Sequence, residues 1–458
     1  MDKVTEAYRT EEPNDDVRLY DGPITIIHEE NEVEWKGSIR LRWLPSPRIE
    51  FEVHPDSDSM PSGEAYTLFQ LPEKVFVRVK GATSQAKALL LSSHSSSKGP
   101  GSLTGILNTP LEIGSAHEFS HVLFRLLNFR NFLTARGGVD PKALTDDWNP
   151  GRIVLQADNA RVTIEPVENS EELLKKLKAV GGYAITHVGK LEGVSGNSIS
   201  LDEVKVILSA LRDFLSFVSG SVVCPILPVG SDAEGDIVWQ EWAPWHTNSW
   251  KSVLCWSDDR HGESLPAVFP GFMARYRTFG WDKPVRDAVR WYAVSNRRQE
   301  LCVEDALVLT QAALEMLAWV VCVEDPQAAH FTHKEFEKLQ AAQKLRCLLH
   351  WAGIPLGIPE EAQQLRNVTC LPWKDGAEVC TGIRNSVVHT TSPKRRTIRV
   401  IPPGGLFQAC NLALWYLELV LLRLFDYAGS YGNRLKRGRY AGDVEPVPWA
   451  TKKGAPTE

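Results

Sequence analysis

The chain has 458 residues, 43% of them hydrophobic and 24% charged, with a formal net charge of −6. That length accommodates two or three domains with full cores, and the negative balance argues against a protein that coats nucleic acid indiscriminately. The polar, acidic first 16 residues hold no apolar run, so no signal peptide is expected, and the eight cysteines form no C-x-x-C pair, which fits reduced thiols in a cytoplasmic protein rather than a structural zinc site.

Residues 20–166 read as mostly β. Val33–Trp43, Arg48–His54 and Lys74–Lys80 alternate polar and apolar with period two, and Gly151–Pro166 reads as two strands about an Asp158-Asn159 turn. Ser92–Ser102, rich in Ser and Gly, reads as a loop. A two-layer sheet or sandwich is the expected result. Within it, His117-Glu118-Phe119-Ser120-His121 is a literal H-E-x-x-H, and on a helix opened by a Ser115/Glu118 capping box the two histidines could bind zinc while the glutamate activates water. No second motif supplies a third ligand, and Val122–Phe129 continues equally well as a strand. No metal or other cofactor is therefore assigned; a zinc hydrolase at His117, Glu118 and His121 is the alternative, and bound zinc is its signature.

The middle of the chain, 167–278, is mixed α/β. Glu171–Lys178 reads as a short helix and Gly182–Lys190 as a strand. Ser200-Leu201-Asp202-Glu203 is a capping box opening an amphipathic helix that runs to Gly220. Trp239, Trp242, Trp245, Trp250 and Trp256 then crowd into one stretch. Such rings can stack bases, but gluing a domain junction is the preferred reading.

From about Trp281 the pattern becomes helical. A helix with Pro284 in its first turn runs to Ser295, followed by Val303–Val323, Lys334–Trp351, a loop at Pro355–Pro359, at most a short helix at Glu361–Leu365, Glu378–His389 and Leu406–Tyr427. The two most apolar stretches contain Gln311 and Glu315, and Glu418 and Arg423, so both read as buried bundle helices and not as membrane spans. Glu315 is read either at an exposed helix edge or as a supporting carboxylate aimed at a cation such as Arg384. Residues 441–458 are expected to be a flexible tail.

One stretch carries candidate chemistry: Gly382-Ile383-Arg384-Asn385-Ser386-Val387-Val388-His389, then Ser392-Pro393 and a basic loop, Lys394-Arg395-Arg396. Arg384 and His389 are separated by about 140° of helical rotation once a full turn is removed. Near a loosened helix end both can still reach one pocket, and Ser392-Pro393 is expected to supply that end. Ten Lys/Arg stand against two acids between Arg384 and Tyr440, which predicts a basic, phosphate-facing end on an acidic body. A histidine that moves a ribose 2′-hydroxyl proton and a guanidinium that braces phosphate make up a metal-free RNA-cleaving set. Arg48 and His54, six positions apart rather than five, offer a similar pair but lie in an alternating strand.

Arg384-Asn385 followed by His389 resembles the R-x(4–6)-H signature of HEPN-domain ribonucleases, in which a polar residue commonly follows the arginine. The order of helices over 281–430, with the motif just before the last helix, is similar to that family's bundle. Tyr183–Gly189 and Phe214–Phe217 look like the sensor-like regions of large bacterial HEPN proteins. The resemblance implies a homodimer whose two motifs form one composite site, and an endoribonuclease leaving 2′,3′-cyclic phosphate. His389 would be the acid or base, Arg384 the phosphorane brace and Asn385 the orienting group, while Lys394, Arg395 and Arg396 hold RNA. It further implies an anti-phage defence role, with a phage-derived or nucleotide trigger acting on the N-terminal region. The alternative is a non-catalytic, dimerising nucleic-acid-binding protein. The expected fold class is α+β multidomain: a β-rich domain over 1–166, the α/β middle over 167–278 and a HEPN-like helical bundle over 279–440.

Overall fold

The structure, a computed structural model, describes residues 8–54, 74–94, 101–133, 151–297, 302–371, 373–389 and 391–450. It is a mixed α and β multidomain chain with a closed N-terminal sheet and a helical C-terminal region. Two compact units interleave along the sequence. The first gathers residues 1–131, 159–211 and 223–252, and the second 132–158, 212–222 and 253–458.

In the first unit, β1 (Val17–His28), β2 (Asn31–Arg42), β3 (Arg48–His54), β4 (Val75–Val79), β5 (Ala86–His94) and β6 (Ser102–Leu107) close into a barrel in the order β1-β2-β3-β6-β5-β4. Period two places Ile24, Trp35, Ile39, Phe51, Val53, Val77 and Leu103 inside it, all buried. Gly105 makes room for Phe51, because a Cβ there would lie 2.5 Å from the Phe51 ring. The expected sandwich is thus a barrel. Alternation is the same for both; pairing of β1 with β4, Ile24 opposite Val79, decides between them. Arg48 and His54 bound strand β3 as expected, with Arg48 paired to Glu50. Of the expected 92–102 loop, 92–94 finish β5 and 102 opens β6, and 95–100 lie outside the described residues.

Further strands follow in chain order: β7 (Leu111–Ile113), β8 (Glu118–Phe119), β9 (His121–Leu127), β10 (Ile153–Ala157), β11 (Ala160–Pro166), β12 (Ile185–Gly193), β13 (Ile199–Ser200), β14 (Pro225–Ser231) and β15 (Ile237–Trp242). An antiparallel sheet in the first unit runs β11-β12-β9-β14-β15-β7. Helix α1 (Ser170–Val180) packs on β12. Helix α2 (Leu201–Ser219) opens as its capping signal predicts, with the Ser200 hydroxyl accepting from Glu203 N–H at 3.3 Å. Its first half belongs to this unit and its second half to the other. Trp239 and Trp242 are core residues of the sheet, and Trp245 and Trp250 are partly buried against the barrel core.

In the second unit, α3 (Ser264–Arg277), a helix that apolar spacing does not reveal, lies against β10. Pro270 inside it obscures the helical pattern. Then come α4 (Asp282–Asn296), α5 (Val303–Trp319), α6 (His333–Glu337), α7 (Ala341–Ala352), α8 (Gln363–Arg366), α9 (Gly376–Val388), α10 (Ser392–Val400) and α11 (Pro403–Leu424). The single helix expected over Lys334–Trp351 is two, because Gln340 starts α7 with its own capping box. Val303–Glu324 and Pro403–Leu424 are long and apolar enough to cross a bilayer, and most of each is buried within the protein. Beyond α11 come β16 (Ser430–Tyr431) and β17 (Glu445–Pro446), which pair, so residues 445–446 of the expected tail are a strand; Trp449 donates to the Tyr427 carbonyl. Residues 451–458 lie outside the described residues.

Candidate nucleic-acid site

Helix α9 is built to hold its C-terminal end in place. Asp375 caps it, accepting from Glu378 N–H at 2.9 Å, and Arg346 from α7 bonds Asp375 and Glu378, each at 2.6 Å. The Lys374 backbone N–H and the Arg346 guanidinium hold the Glu378 carboxyl below the usual range. Val379, Cys380, Ile383 and Ser386 face the interior, among helices α5, α7 and α11. Burial drives the Cys380 thiol far upward, which makes it inert core rather than nucleophile.

The structure brings Arg384 and Asn385 together: Arg384 Nη1 donates to Asn385 Oδ1 at 3.1 Å. Arg384 is half-buried, and its Nε is fully buried with no hydrogen-bond partner among the described residues. His389 caps the helix C-terminus, its N–H donating to the Asn385 carbonyl at 3.0 Å, and its side chain is exposed. The helix therefore ends at Val388, earlier than expected. Ser392-Pro393 does not end it but starts α10, where proline occupies the first turn and needs no hydrogen-bond partner for its missing N–H.

That start converts the expected basic loop into a basic helix. Arg396 and Arg399 are exposed and Lys394 is half-buried, and none of the three is in an ion pair among the described residues. Arg395 lies on the same helix, but its side chain is outside the described set. Glu315 accepts from Gln311 at 3.3 Å, and among the described residues no hydrogen bond or ion pair joins it to Arg384, so the supporting role expected of it has no contact behind it.

Elsewhere the basic end is consumed internally. Arg434 is buried and pairs with the equally buried Glu418 at 2.5 Å, Arg439 donates to the Cys255 carbonyl, and Lys436 bonds Asp443. That leaves Arg384, the cations of α10, Arg423, which lies over the Trp449 ring, and the exposed Arg437. A cleft of about 510 Å³ lined by Arg275, Trp281, Glu324 and Asp325 is a rival location in this unit. Its guanidinium is already spent, with Arg275 pairing Asp325 at 3.0 Å and lying over Trp281.

The H-E-x-x-H segment is not a helix. Glu118 is in β8 and bonded by Ser198, while His121 opens β9 with its ring against the Ser120 hydroxyl. Burial and Lys190 hold that imidazole below its ordinary range. No group of three metal-ligating side chains assembles there or elsewhere among the described residues.

The similarity is to YopA. A family model described as the YopA C-terminal domain matches residues 279–445, and one described as the YopA central domain matches 114–253. The SPbeta prophage-derived uncharacterized protein YopA of Bacillus subtilis (strain 168) is 27% identical over 447 residues, covering 96% of both chains. No solved structure matches. The match to the YopA C-terminal domain contains the whole of α9 and α10, and neither domain description names an activity.

Proposed function

We propose that the chain is a metal-independent endoribonuclease of the HEPN type, with its site at the end of α9. One observation carries this reading. A guanidinium whose buried Nε has no partner among the described residues is tied to Asn385 one turn before an exposed histidine, and a helix carrying Lys394, Arg396 and Arg399, none of them in an ion pair among the described residues, comes directly after. A buried, unsatisfied charged donor is costly unless a ligand completes it, and a phosphate oxygen does so. His389 takes the 2′-hydroxyl proton, the 2′-oxygen attacks phosphorus, and the 5′-oxygen leaves with a proton. The products are a 2′,3′-cyclic phosphate and a 5′-hydroxyl. Arg384 braces the phosphorane, Asn385 orients it, and Lys394, Arg396 and Arg399 hold the backbone. Each chain offers one such histidine for two proton transfers, so a homodimer completes the site. A prophage-derived relative fits a role in the contest between phage and host, with the first unit as the sensing or restraining part.

The test is total RNA incubated with EDTA and either the wild-type protein or His389→Ala, whose exposed position leaves the core intact. Cleavage by wild type alone, with cyclic-phosphate ends, supports the proposal; equal cleavage by both removes His389 from it. The second reading is a nucleic-acid-binding protein without catalysis, which the unpaired cations of α10 favour equally. It predicts RNA binding by both proteins and cleavage by neither.

A further inference from the structure

We infer that Trp373 is the base-stacking platform of this site, taking a nucleobase of single-stranded RNA beside the phosphate held at Arg384. The inference rests on the ribonuclease proposal and adds what the site recognises.

Gly382 fixes where the indole lies. A Cβ built there would lie 3.3 Å from Trp373 Nε1, so the ring sits directly on the motif helix at that residue. At 100° per residue, positions 382, 385, 386 and 389 share one side of a helix. Ser386 is buried and bonded to the Gly382 carbonyl, which leaves Asn385 and His389 as the accessible members of that side. Arg384 Nη1 donates to Asn385 Oδ1 at 3.1 Å, which ties the guanidinium to a residue of that side. Gly382 to His389 spans about 10 Å along the axis, the scale of a short single-stranded segment.

Trp373 itself is uncommitted. It is half-buried, and among the described residues its Nε1 makes no hydrogen bond and its ring has no aromatic or cationic partner. Trp256, Trp319, Trp415 and Trp449 differ, each donating its indole N–H to a carbonyl or side chain. The surroundings favour a nucleotide. Lys374 beside it is exposed, and Glu378, one turn before Gly382, is neutralised by Arg346 at 2.6 Å. A flat ring with a cation alongside, next to a phosphate-binding group, is the recurring arrangement for single strands.

The experiment uses the full chain carrying His389→Ala, so that binding is read without cleavage. Affinity for a fluorescein-labelled ten-nucleotide single-stranded RNA and for the matching RNA duplex is measured by anisotropy, with and without Trp373→Leu or Trp373→Phe. Leu keeps apolar packing on Gly382 but cannot stack; Phe can. We expect Trp373→Leu to weaken single-strand binding roughly five- to hundredfold, with the duplex unchanged, and Trp373→Phe to retain most of the affinity. Equal affinities for parent and Trp373→Leu, or an equal loss on single strand and duplex, overturns the inference and leaves the ribonuclease reading standing. If the parent binds no RNA and the wild type cleaves none, both fall together.

Discussion

Glu418 and Arg434 show how far a charge count can mislead at the scale of single residues. As sequence, Arg434 belongs to a basic terminal segment. In the fold it is fully enclosed, donating to both Glu418 oxygens, to Asn296 Oδ1 and to the Leu254 carbonyl, while Tyr292 donates to Glu418 at 2.6 Å. Burial and the facing Glu418 carboxylate drive the Tyr292 hydroxyl well upward, so it remains a donor. Removing one member of such a pair strands the other charge in a dry site. Glu418→Gln is expected to lower stability by about 3–5 kcal/mol in urea unfolding. His187 gives the pH counterpart. Burial alone holds its imidazole at about 3, so the folded state keeps it neutral. Its contribution is complete above the unfolded value near 6.5 and declines as pH falls from there towards 3. Wild-type stability should therefore drop over that range, and His187→Gln should show a shallower slope in urea titrations at stepped pH.

At the scale of elements, the motif helix depends on its far end. Asp375 caps the first turn and anchors Arg346 at once. Asp375→Ala should cost about 1–2 kcal/mol in denaturant unfolding from the cap alone, with Arg346 left facing only Glu378. The same helix shows what local pattern can and cannot settle. Apolar spacing locates it, but Ser392-Pro393, which has the look of a stop, is a start. Proline disfavours the helical conformation in the residue before it and equally favours the first turn of a new helix. Only the backbone shows that Val388 has already ended α9. Lys394 and Arg396 are consequently residues of a helix, which fixes the spacing between these two cations along any bound backbone.

At the scale of the molecule, each unit is assembled from three stretches of chain. The second half of α2 supplies Phe214 and Phe217 to the second unit, where they meet Phe269, Phe272, Trp256, Tyr292 and Phe425. A fragment beginning at residue 279, where the match to the YopA C-terminal domain begins, lacks Phe214, Phe217, Trp256, Phe269 and Phe272. Without those aromatic side chains the core is open, and expressed alone the fragment should lack the near-ultraviolet circular dichroism of a fixed core. A cooperative, native-like spectrum from 279–458 would show instead that the bundle folds without them.

Periodicity and spacing are legible in the residues alone: the alternating strands before residue 166, the capping box at Ser200, the apolar helices α5 and α11, and the Arg384-Asn385…His389 interval. Those signals are local, set by residues within a few positions of each other. Other features exist only once the chain has folded. Barrel closure needs β1 to meet β4, two strands separated by about 50 residues. Which cations remain for a ligand depends on acids elsewhere in the chain, as Glu418 neutralises Arg434 and Asp443 engages Lys436. Trp373 packs on the bare helix surface at Gly382, where a Cβ would lie 3.3 Å from its Nε1. Pairing, burial and charge neutralisation are relations between residues brought together by the fold, and no local pattern encodes them.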